Sequence, residues 1–350
     1  MRRIAFLALS LCTACGSLSS DEAKQLVSYQ ERAKLYYDEQ NQSQLAQSLE
    51  QAMVMADKGL ALDPDNYQLG TLRGWVLLRQ SKLTNVNGSR QEKLQDQSAE
   101  QFDKLYAERI PQRHSHVLLL GYALAQEALG FRHVEESTRL LEAAARSGGE
   151  TPEVREQRGK ANEHIEIGKS KLLQAQQALQ ALLARGELGL LAHYHLMQVS
   201  AALKDHAATF QHGDAYLAEV EKEKKAERAR INATSQPKYE RYLQSELDRI
   251  RKQELDVREL LALLHRNDGE NDKQPDADRS RARQAALAHL DVVLQNDPTR
   301  SHDYYERALL LQALGRPDAA RSDFRKFLAT SPLPASSPKK ADAVKALGMQ

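Results

Sequence analysis

The sequence is poor in cysteine, in aromatic residues and in long apolar segments. Cysteine occurs twice in 350 residues, at positions 12 and 15, and aromatic residues make up 5% of the chain. With both cysteines near the amino terminus, disulfides cannot hold the remainder together, and a core must do so. After Ser20 there is no apolar run long enough to cross a bilayer. Alternating stretches rich in Val, Ile and Thr, which are typical of strands, are also missing.

Charge of one sign is lacking as well. The chain has 49 Lys and Arg against 48 Asp and Glu, which gives a formal net charge of +1. Without Arg2 and Arg3 the balance becomes 47 against 48. A basic excess of the kind that drives nucleic-acid binding is therefore absent, and we expect no nucleic-acid partner. Glycine and proline are few, while Ala, Leu, Gln, Glu, Lys and Arg abound, so the composition favours helices.

The first sixteen residues have the pattern of an export signal. Arg2 and Arg3 precede the short apolar run Ile4–Leu11, and Thr13-Ala14-Cys15-Gly16 follows soon after. This ending resembles the lipobox of bacterial lipoproteins, although Cys12 stands where that family usually has Leu. The resemblance implies that residues 1–14 are a signal peptide and that Cys15 carries acyl chains such as palmitate. It also implies a periplasm-facing protein of the cell envelope, and Gly16 favours the outer membrane.

Two alternatives to this interpretation stay open. Lipidation at Cys12 would place the bulky Leu11 at the cleavage point and fits less well. The other alternative is a plain signal peptide whose two cysteines have no role.

A helix-pair pattern recurs along the chain and is clearest at 301–332. Its positions are Tyr304, Ala308, Leu311, Gly315, Ala320, Phe324, Phe327 and Pro332. These resemble a tetratricopeptide repeat, apart from Phe327, where the family prefers Ala. Small residues such as Ala308 and Ala320 allow two helices to cross closely, and large residues one turn away fill the grooves. Neither helix can bury its face alone, so such pairs must stack.

Weaker copies precede this unit and predict an all-α, tetratricopeptide-type superhelix of helix-turn-helix pairs. The predicted segments are a helical array at 15–217, a longer helical hairpin at 218–266, an acidic linker at 267–279, a repeat unit at 280–332 and a tail at 333–350. Within the hairpin, the apolar stripe from Tyr239 to Leu264 is interrupted by Glu254, and we expect the hairpin to project from the array.

Patterns that would indicate catalysis or a bound ion do not occur. His114 and His116, like His193 and His195, are two residues apart, which on a helix turns their rings to different faces. Gly168-Lys169-Ser170 ends like a phosphate-binding loop, but Glu163 stands where its first glycine should be. We therefore predict no enzyme activity, no metal and no cofactor.

The resemblance implies a binding groove lined by the first helix of each pair. The corresponding positions are Thr71, Trp75, Arg79, Leu118, Tyr122, Gln126, His193, Met197, Tyr305, Leu309 and Gln312. Aromatic residues beside polar groups suit the capture of a peptide. The alternative is that Trp75 and Tyr122 pack between adjacent repeats.

These observations lead to the hypothesis of a lipid-anchored periplasmic scaffold that binds proteins or peptides of the bacterial cell envelope and reaches the membrane through its lipid. A periplasmic small-molecule-binding accessory of a transporter is the alternative. A closed apolar cavity would favour the accessory, and an open polar groove would favour the scaffold.

Overall fold

The computed structural model describes residues 18–38, 44–83, 86, 88–107, 115–147, 149–234 and 237–348. The described residues form α-helices and their connections, without a β-strand. This confirms the predicted all-α fold class. Cys12, Cys15 and the predicted signal peptide lie outside the described residues. In the described part of the chain, no helix has the length and apolarity that a membrane span requires.

Thirteen helices are described. They are α1 (Ser20–Tyr37), α2 (Leu45–Leu62), α3 (Tyr67–Gln80), α4 (Gly88–Ala107), α5 (His116–Arg146), α6 (Pro152–Ala184), α7 (Gly189–Ala202), α8 (His206–Ala233), α9 (Pro237–Glu270), α10 (Asp276–Asn296), α11 (Ser301–Ala313), α12 (Pro317–Thr330) and α13 (Pro338–Ala346).

The chain divides into two compact units between Asp205 and His206. Unit 1 contains α1–α7 and unit 2 contains α8–α13. The predicted boundary at 217/218 instead falls inside α8. The predicted linker at 267–279 is also much shorter, because α9 continues to Glu270 and α10 begins at Asp276. Asp276 and Asp278 lie in the first turn of α10, where carboxylates interact favourably with the positive end of the helix dipole.

In unit 1 each helix packs against the next one, and α1, α3, α5 and α7 also contact one another in succession. We call these four the A helices. Several helices begin at side-chain caps that the sequence contains: Ser19 caps α1, Asn66 caps α3, Ser115 caps α5 and Thr151 caps α6. A continuous apolar core fills the space between A helices and their neighbours from α3 to α7.

The longest pair of unit 1 is α5 with α6, and sequence analysis did not identify it. The two helices touch backbone to backbone at Gly130 and Gly168. A Cβ placed on Gly168 would lie 3.1 Å from the carbonyl oxygen of Gly130. Beyond this crossing the buried positions are mostly small, namely Ser137, Ala144 and Ala161, together with Val154 near the start of α6. Side chains of this size let two helices run close together without a thick apolar layer.

Unit 2 begins with the hairpin of α8 and α9. On α9 one stripe of buried positions alternates in steps of four and three residues, which is the spacing of a coiled-coil seam. They are Leu243, Leu247, Ile250, Glu254, Val257, Leu261 and Leu264. Tyr239, which we predicted to begin this stripe, is exposed instead.

The carboxy-terminal part of α9 belongs to the core of unit 2. Ala262 is buried with Ala286 and Leu290 of α10 and with Leu310 of α11. The expectation that the whole hairpin projects from the array was therefore wrong for this part. This part of α9 does not project because its apolar stripe continues through the region that packs on α10.

The repeat predicted at 301–332 forms α11 and α12. Ala308, Ala320, Phe324 and Phe327 are buried together in one core. Gly315 connects the two helices with a φ of +72°, a conformation that favours glycine. The predicted tail contains α13, whose Ala343 is buried in the same core.

Candidate functional site

The structure places the predicted groove residues of α3 and α5 in the layer where adjacent helix pairs pack. Thr71, Trp75, Leu118, Tyr122 and Gln126 are all buried. They lie on the A helices, as the repeat register predicted, but a neighbouring A helix or the helix between two A helices covers them. The prediction that they form an accessible wall was wrong.

Trp75 is the clearest example of this packing. Its side chain is 4% exposed, and its Nε1 donates a hydrogen bond to the carbonyl oxygen of Val117 at 3.2 Å. The indole also meets the ring of Phe102 edge to face, with 6.1 Å between ring centroids. Trp75 thus joins α3 to α4 and α5.

Phe102 reaches this position because two glycines make room for it. Its fully buried ring lies between Gly74 of α3 and Gly121 of α5. A Cβ at Gly74 would come within 2.8 Å of the ring, and one at Gly121 within 2.4 Å. The small residues expected at helix crossings are therefore present, with an aromatic ring between them.

Polar and aromatic contacts hold the other predicted positions. The ring of Tyr122 stacks on Tyr106 at 4.2 Å between centroids, and burial raises the pKa of Tyr122. Gln126 Nε2 donates to Asp103 Oδ1 at 2.9 Å. These contacts tie α5 to α4, so the second reading of Tyr122, as a residue between repeats, describes its place better than an open groove does.

Arg79, His193 and Met197 complete the predicted set in unit 1. Arg79 is half-buried, donates to the backbone carbonyl of Tyr37, and lies 5.2 Å from the centroid of the Tyr37 ring. Met197 is buried and His193 is half-buried. Arg79 and His193 therefore retain a partly accessible surface.

Sequence analysis missed a polar contact between α5 and α7. His195 Nδ1 lies 2.8 Å from Glu127 Oε2, and the Glu127 side chain is buried. These two residues are 68 positions apart, and the pattern of histidine pairs gave no indication that they meet.

In unit 2, α13 covers the predicted groove position Tyr305. The Tyr305 hydroxyl donates to Asp342 Oδ2 at 3.3 Å, and Lys339 Nζ lies 5.2 Å from the ring centroid. Tyr305 is buried as a result, whereas Gln312 is exposed and Leu309 is partly buried. Among the predicted groove positions that the structure describes, Gln312 is thus the one residue that is exposed to solvent.

An open cleft of about 600 Å³ lies at the amino-terminal end of α11. Its lining residues are Glu259, Thr299, Arg300, Ser301, His302, Asp303, Thr330 and Pro332. We call it the C-terminal cleft. It combines charged groups with three hydroxyl side chains, and all of its residues belong to unit 2.

Arg300 is the centre of charge in this cleft. Its Nη1 donates to Glu259 Oε2 at 2.6 Å, its Nη2 to Asp256 Oδ1 at 3.1 Å, and its Nε to Asp297 Oδ2 at 3.3 Å. Each nitrogen of the guanidinium thus contacts a different carboxylate. The arrangement leaves a surplus of negative charge around a single cation.

Asp303 is, with Glu259, one of the two carboxylates that line the cleft, and it is the more buried of the two. Asp303 is 2% exposed, and its Oδ2 has no hydrogen-bond partner. Burial, and next the charge of Glu259, raise the pKa of Asp303 to about 6. Such a group accepts hydrogen bonds and favours a positively charged neighbour.

The described residues do not form a metal-binding cluster. In the described part of the chain, no three His, Cys, Asp or Glu side chains are grouped so that they could hold a metal ion. What the C-terminal cleft offers is a set of acceptors for hydrogen bonds.

Comparison with known proteins agrees with the repeat pattern. Residues 277–348 match the tetratricopeptide repeat family, a segment that comprises nearly all of α10 and the whole of α11–α13. No curated protein matches the chain.

Among solved structures, the chain is similar to Nro1, a hypoxic regulator of sterol synthesis described as a nuclear import adaptor. The identity is 14% over 93% of each chain, with a TM-score of 0.48. A tetratricopeptide repeat protein from Parabacteroides merdae is 14% identical over 93% of this chain and 98% of that one, with a TM-score of 0.33. Yeast Tom70 is 13% identical over 94% and 93%, with a TM-score of 0.18. At this level we transfer no partner or activity. The chain is an all-α array of helix pairs whose carboxy-terminal segment matches the tetratricopeptide repeat.

Proposed function

We propose that this chain is a non-catalytic scaffold that binds a polypeptide partner and is anchored by a lipid in the bacterial cell envelope. The observation that carries the proposal is the array of helix pairs, which ends in a segment matching the tetratricopeptide repeat. Arrays of this kind present long surfaces on rigid helices, and such surfaces suit extended polypeptides.

The accessible side chains and the C-terminal cleft support a polypeptide more than an enclosed small molecule. Arg79 and His193 are half-buried and Gln312 is exposed, so each can contact a partner without unfolding its helix. The C-terminal cleft is open and lined by several charged and hydroxyl side chains, unlike the mostly enclosed pockets that bury small ligands.

Site-specific photocrosslinking in cells tests the scaffold proposal. We expect a photoreactive residue at 312 or 193 to give adducts with one polypeptide. The same residue at Lys160, an exposed position on α6, serves as the matched control and should not give that adduct. The absence of adducts at both 312 and 193 would contradict a partner that contacts these positions.

The anchor rests on the sequence at 13–16, which is outside the described residues. We expect labelling with a palmitate analogue to be lost in Cys15→Ser and kept in Cys12→Ser, because only Cys15 follows small residues. Several acyl chains contribute about 0.8 kcal/mol per buried methylene and give stable retention on membranes. Label that remains in Cys15→Ser would assign the lipid to another residue or refute it.

A further inference from the structure

The C-terminal cleft contains a buried carboxylate that the chain leaves without a hydrogen-bond partner. Asp303 lines the cleft, and its Oδ2 is shielded from water by the surrounding protein. An unpaired buried acceptor destabilises the folded state, and it does so more strongly when it is charged. Buried polar groups are paired in the great majority of cases, so this one calls for an explanation.

The cations of unit 2 that lie nearest are engaged elsewhere. Arg300 directs its three nitrogens to Asp256, Glu259 and Asp297. The chain therefore gathers four carboxylates around one guanidinium and leaves the deepest of them unpaired.

Two further cations, Arg266 of α9 and Lys339 of α13, do not relieve this surplus. Glu306, one turn after Asp303, receives Arg266 and also Lys339 Nζ at 3.0 Å. Both cations form ion pairs with Glu306. Glu306 itself adds to the negative potential at Asp303.

We propose that the C-terminal cleft binds a lysine or arginine side chain of the partner polypeptide, with Asp303 accepting its hydrogen bonds. This inference rests on the proposed function and specifies the chemistry of the partner. An ammonium or guanidinium group supplies both what Asp303 lacks, a donor and a positive charge. Glu259 lies at the same cleft and adds a second carboxylate.

The rest of the cleft suits a peptide segment around that side chain. Thr299, Ser301 and Thr330 place hydroxyl groups along the lining, and Pro332 gives it an apolar edge. The Thr299 and Thr330 hydroxyls donate within the chain, to Asp297 Oδ1 and to the Lys326 carbonyl oxygen, and their oxygens can still accept hydrogen bonds from a peptide backbone. The volume of about 600 Å³ falls within the roughly 300–1,000 Å³ of sites that hold small ligands, so it accommodates a side chain and its adjoining backbone.

The test uses the purified full chain and small probes, so that it does not depend on finding the partner. The probe is N-acetyl-lysinamide, and its uncharged match is N-acetyl-norleucinamide. Binding is followed by ¹³C NMR of the Asp side-chain carboxyls, with the Asp303 resonance identified by its loss in Asp303→Asn. We expect the lysine probe to move this resonance and to lower its titration midpoint, while the norleucine probe leaves both unchanged.

Variants then assign the binding to the cleft. Asp303→Asn keeps the shape of the side chain, and we expect it to weaken the lysine probe about tenfold or more, as judged from the signals of the probe. Glu259→Gln should weaken it by a smaller factor. Asp318→Asn, which changes an exposed carboxylate of α12, is the matched control and should bind as wild type does.

Each result decides the proposal. Equal binding to Asp303→Asn and wild type, equal binding of the two probes, or no binding at all would overturn it. Tighter binding of 1,5-diaminopentane than of a capped peptide with one central lysine would reassign the cleft to a free polyamine. Because no partner takes part, failure here leaves the photocrosslinking test of the scaffold intact.

Discussion

Gly121 offers a direct test of the helix packing in unit 1. Adding a methyl group there should destabilise the protein, although alanine is the better helix former by about 1 kcal/mol. The new Cβ would lie 2.4 Å from Cζ and 2.5 Å from Cε1 of Phe102, and 3.0 Å from Nε1 of Trp75. The ring cannot simply move aside, because Gly74 lies against its other face.

Overpacking of this kind costs about 1–3 kcal/mol or more. Contacts as short as 2.4 Å place the cost at about 3 kcal/mol. After the gain of about 1 kcal/mol in helix propensity, we expect a net loss of about 2 kcal/mol in the free energy of unfolding for Gly121→Ala. Gly159→Ala is the matched control. Gly159 is exposed on α6, and a Cβ there would meet nothing within 4 Å, so this change should stabilise by about 0.5–1 kcal/mol.

Urea unfolding followed by tryptophan fluorescence measures both variants. Trp75 is the single tryptophan and lies beside the perturbed ring, so the transition reports on unit 1. A Gly121→Ala protein as stable as the Gly159→Ala protein would refute the insertion of Phe102 between α3 and α5.

Two further predictions concern buried carboxylates of unit 2, both measured by urea unfolding with circular dichroism. The folded pKa of Asp303 is about 6 against an ordinary 3.8, so its stability contribution is full below pH 3.8 and is lost as pH rises through 6. Asp303→Asn should therefore match wild type near pH 4 and be more stable by up to about 3 kcal/mol at pH 7.5; equal stability at pH 7.5 would contradict the buried charge. Lys224→Met should lose about 1–3 kcal/mol because Glu254 would keep only Arg258, whereas the exposed Lys222→Met should stay within about 0.5 kcal/mol. A loss in both lysine variants alike would show that the Glu254 pair is not the cause.

Local features of the fold could be predicted from the sequence because their partners lie within one turn. The capping box at the start of α1 is such a case: Ser19 Oγ accepts from the Glu22 amide, and Ser19 N donates to Glu22 Oε2 at 2.8 Å. The repeat at 301–332 was equally readable, because its small and aromatic residues occur at fixed spacing and Gly315 marks the turn.

The pairing of α5 with α6 could not be predicted in this way. Its seam consists of Gly130, Ser137, Ala144, Val154, Ala161 and Gly168, and five of these six residues are too small for hydrophobic periodicity to register. From the sequence, the segment 152–168 therefore resembles a charged helix of uncertain partner. What the pattern could not show is that small residues on both helices face each other.

The candidate site divides in a similar way. The repeat register placed Trp75, Tyr122 and Tyr305 on the correct helices, but their exposure depends on what the rest of the chain lays over them. Trp75 and Tyr122 are covered within unit 1, and Tyr305 is covered by α13. The C-terminal cleft is harder still to predict from the sequence. Glu259 and Asp256 lie on α9 and precede Arg300 by 41 and 44 positions.

Glu254 and Asp303 show why one buried carboxylate of unit 2 is structural and the other a candidate for binding. Burial acts to raise the pKa of Glu254, but hydrogen bonds from Lys224 and Arg258, at 2.8 and 2.9 Å, outweigh it and hold the pKa below its ordinary value. Its charge is therefore satisfied within the α8–α9 hairpin, at a seam position where an apolar residue would also fit. Asp303 is buried as deeply, but the charged groups around it are mostly carboxylates, and Arg300 donates its hydrogen bonds to those carboxylates and not to Asp303. Above pH 6, where Asp303 is ionised, its buried charge lowers the stability of the fold, and a cation bound from outside offsets that cost.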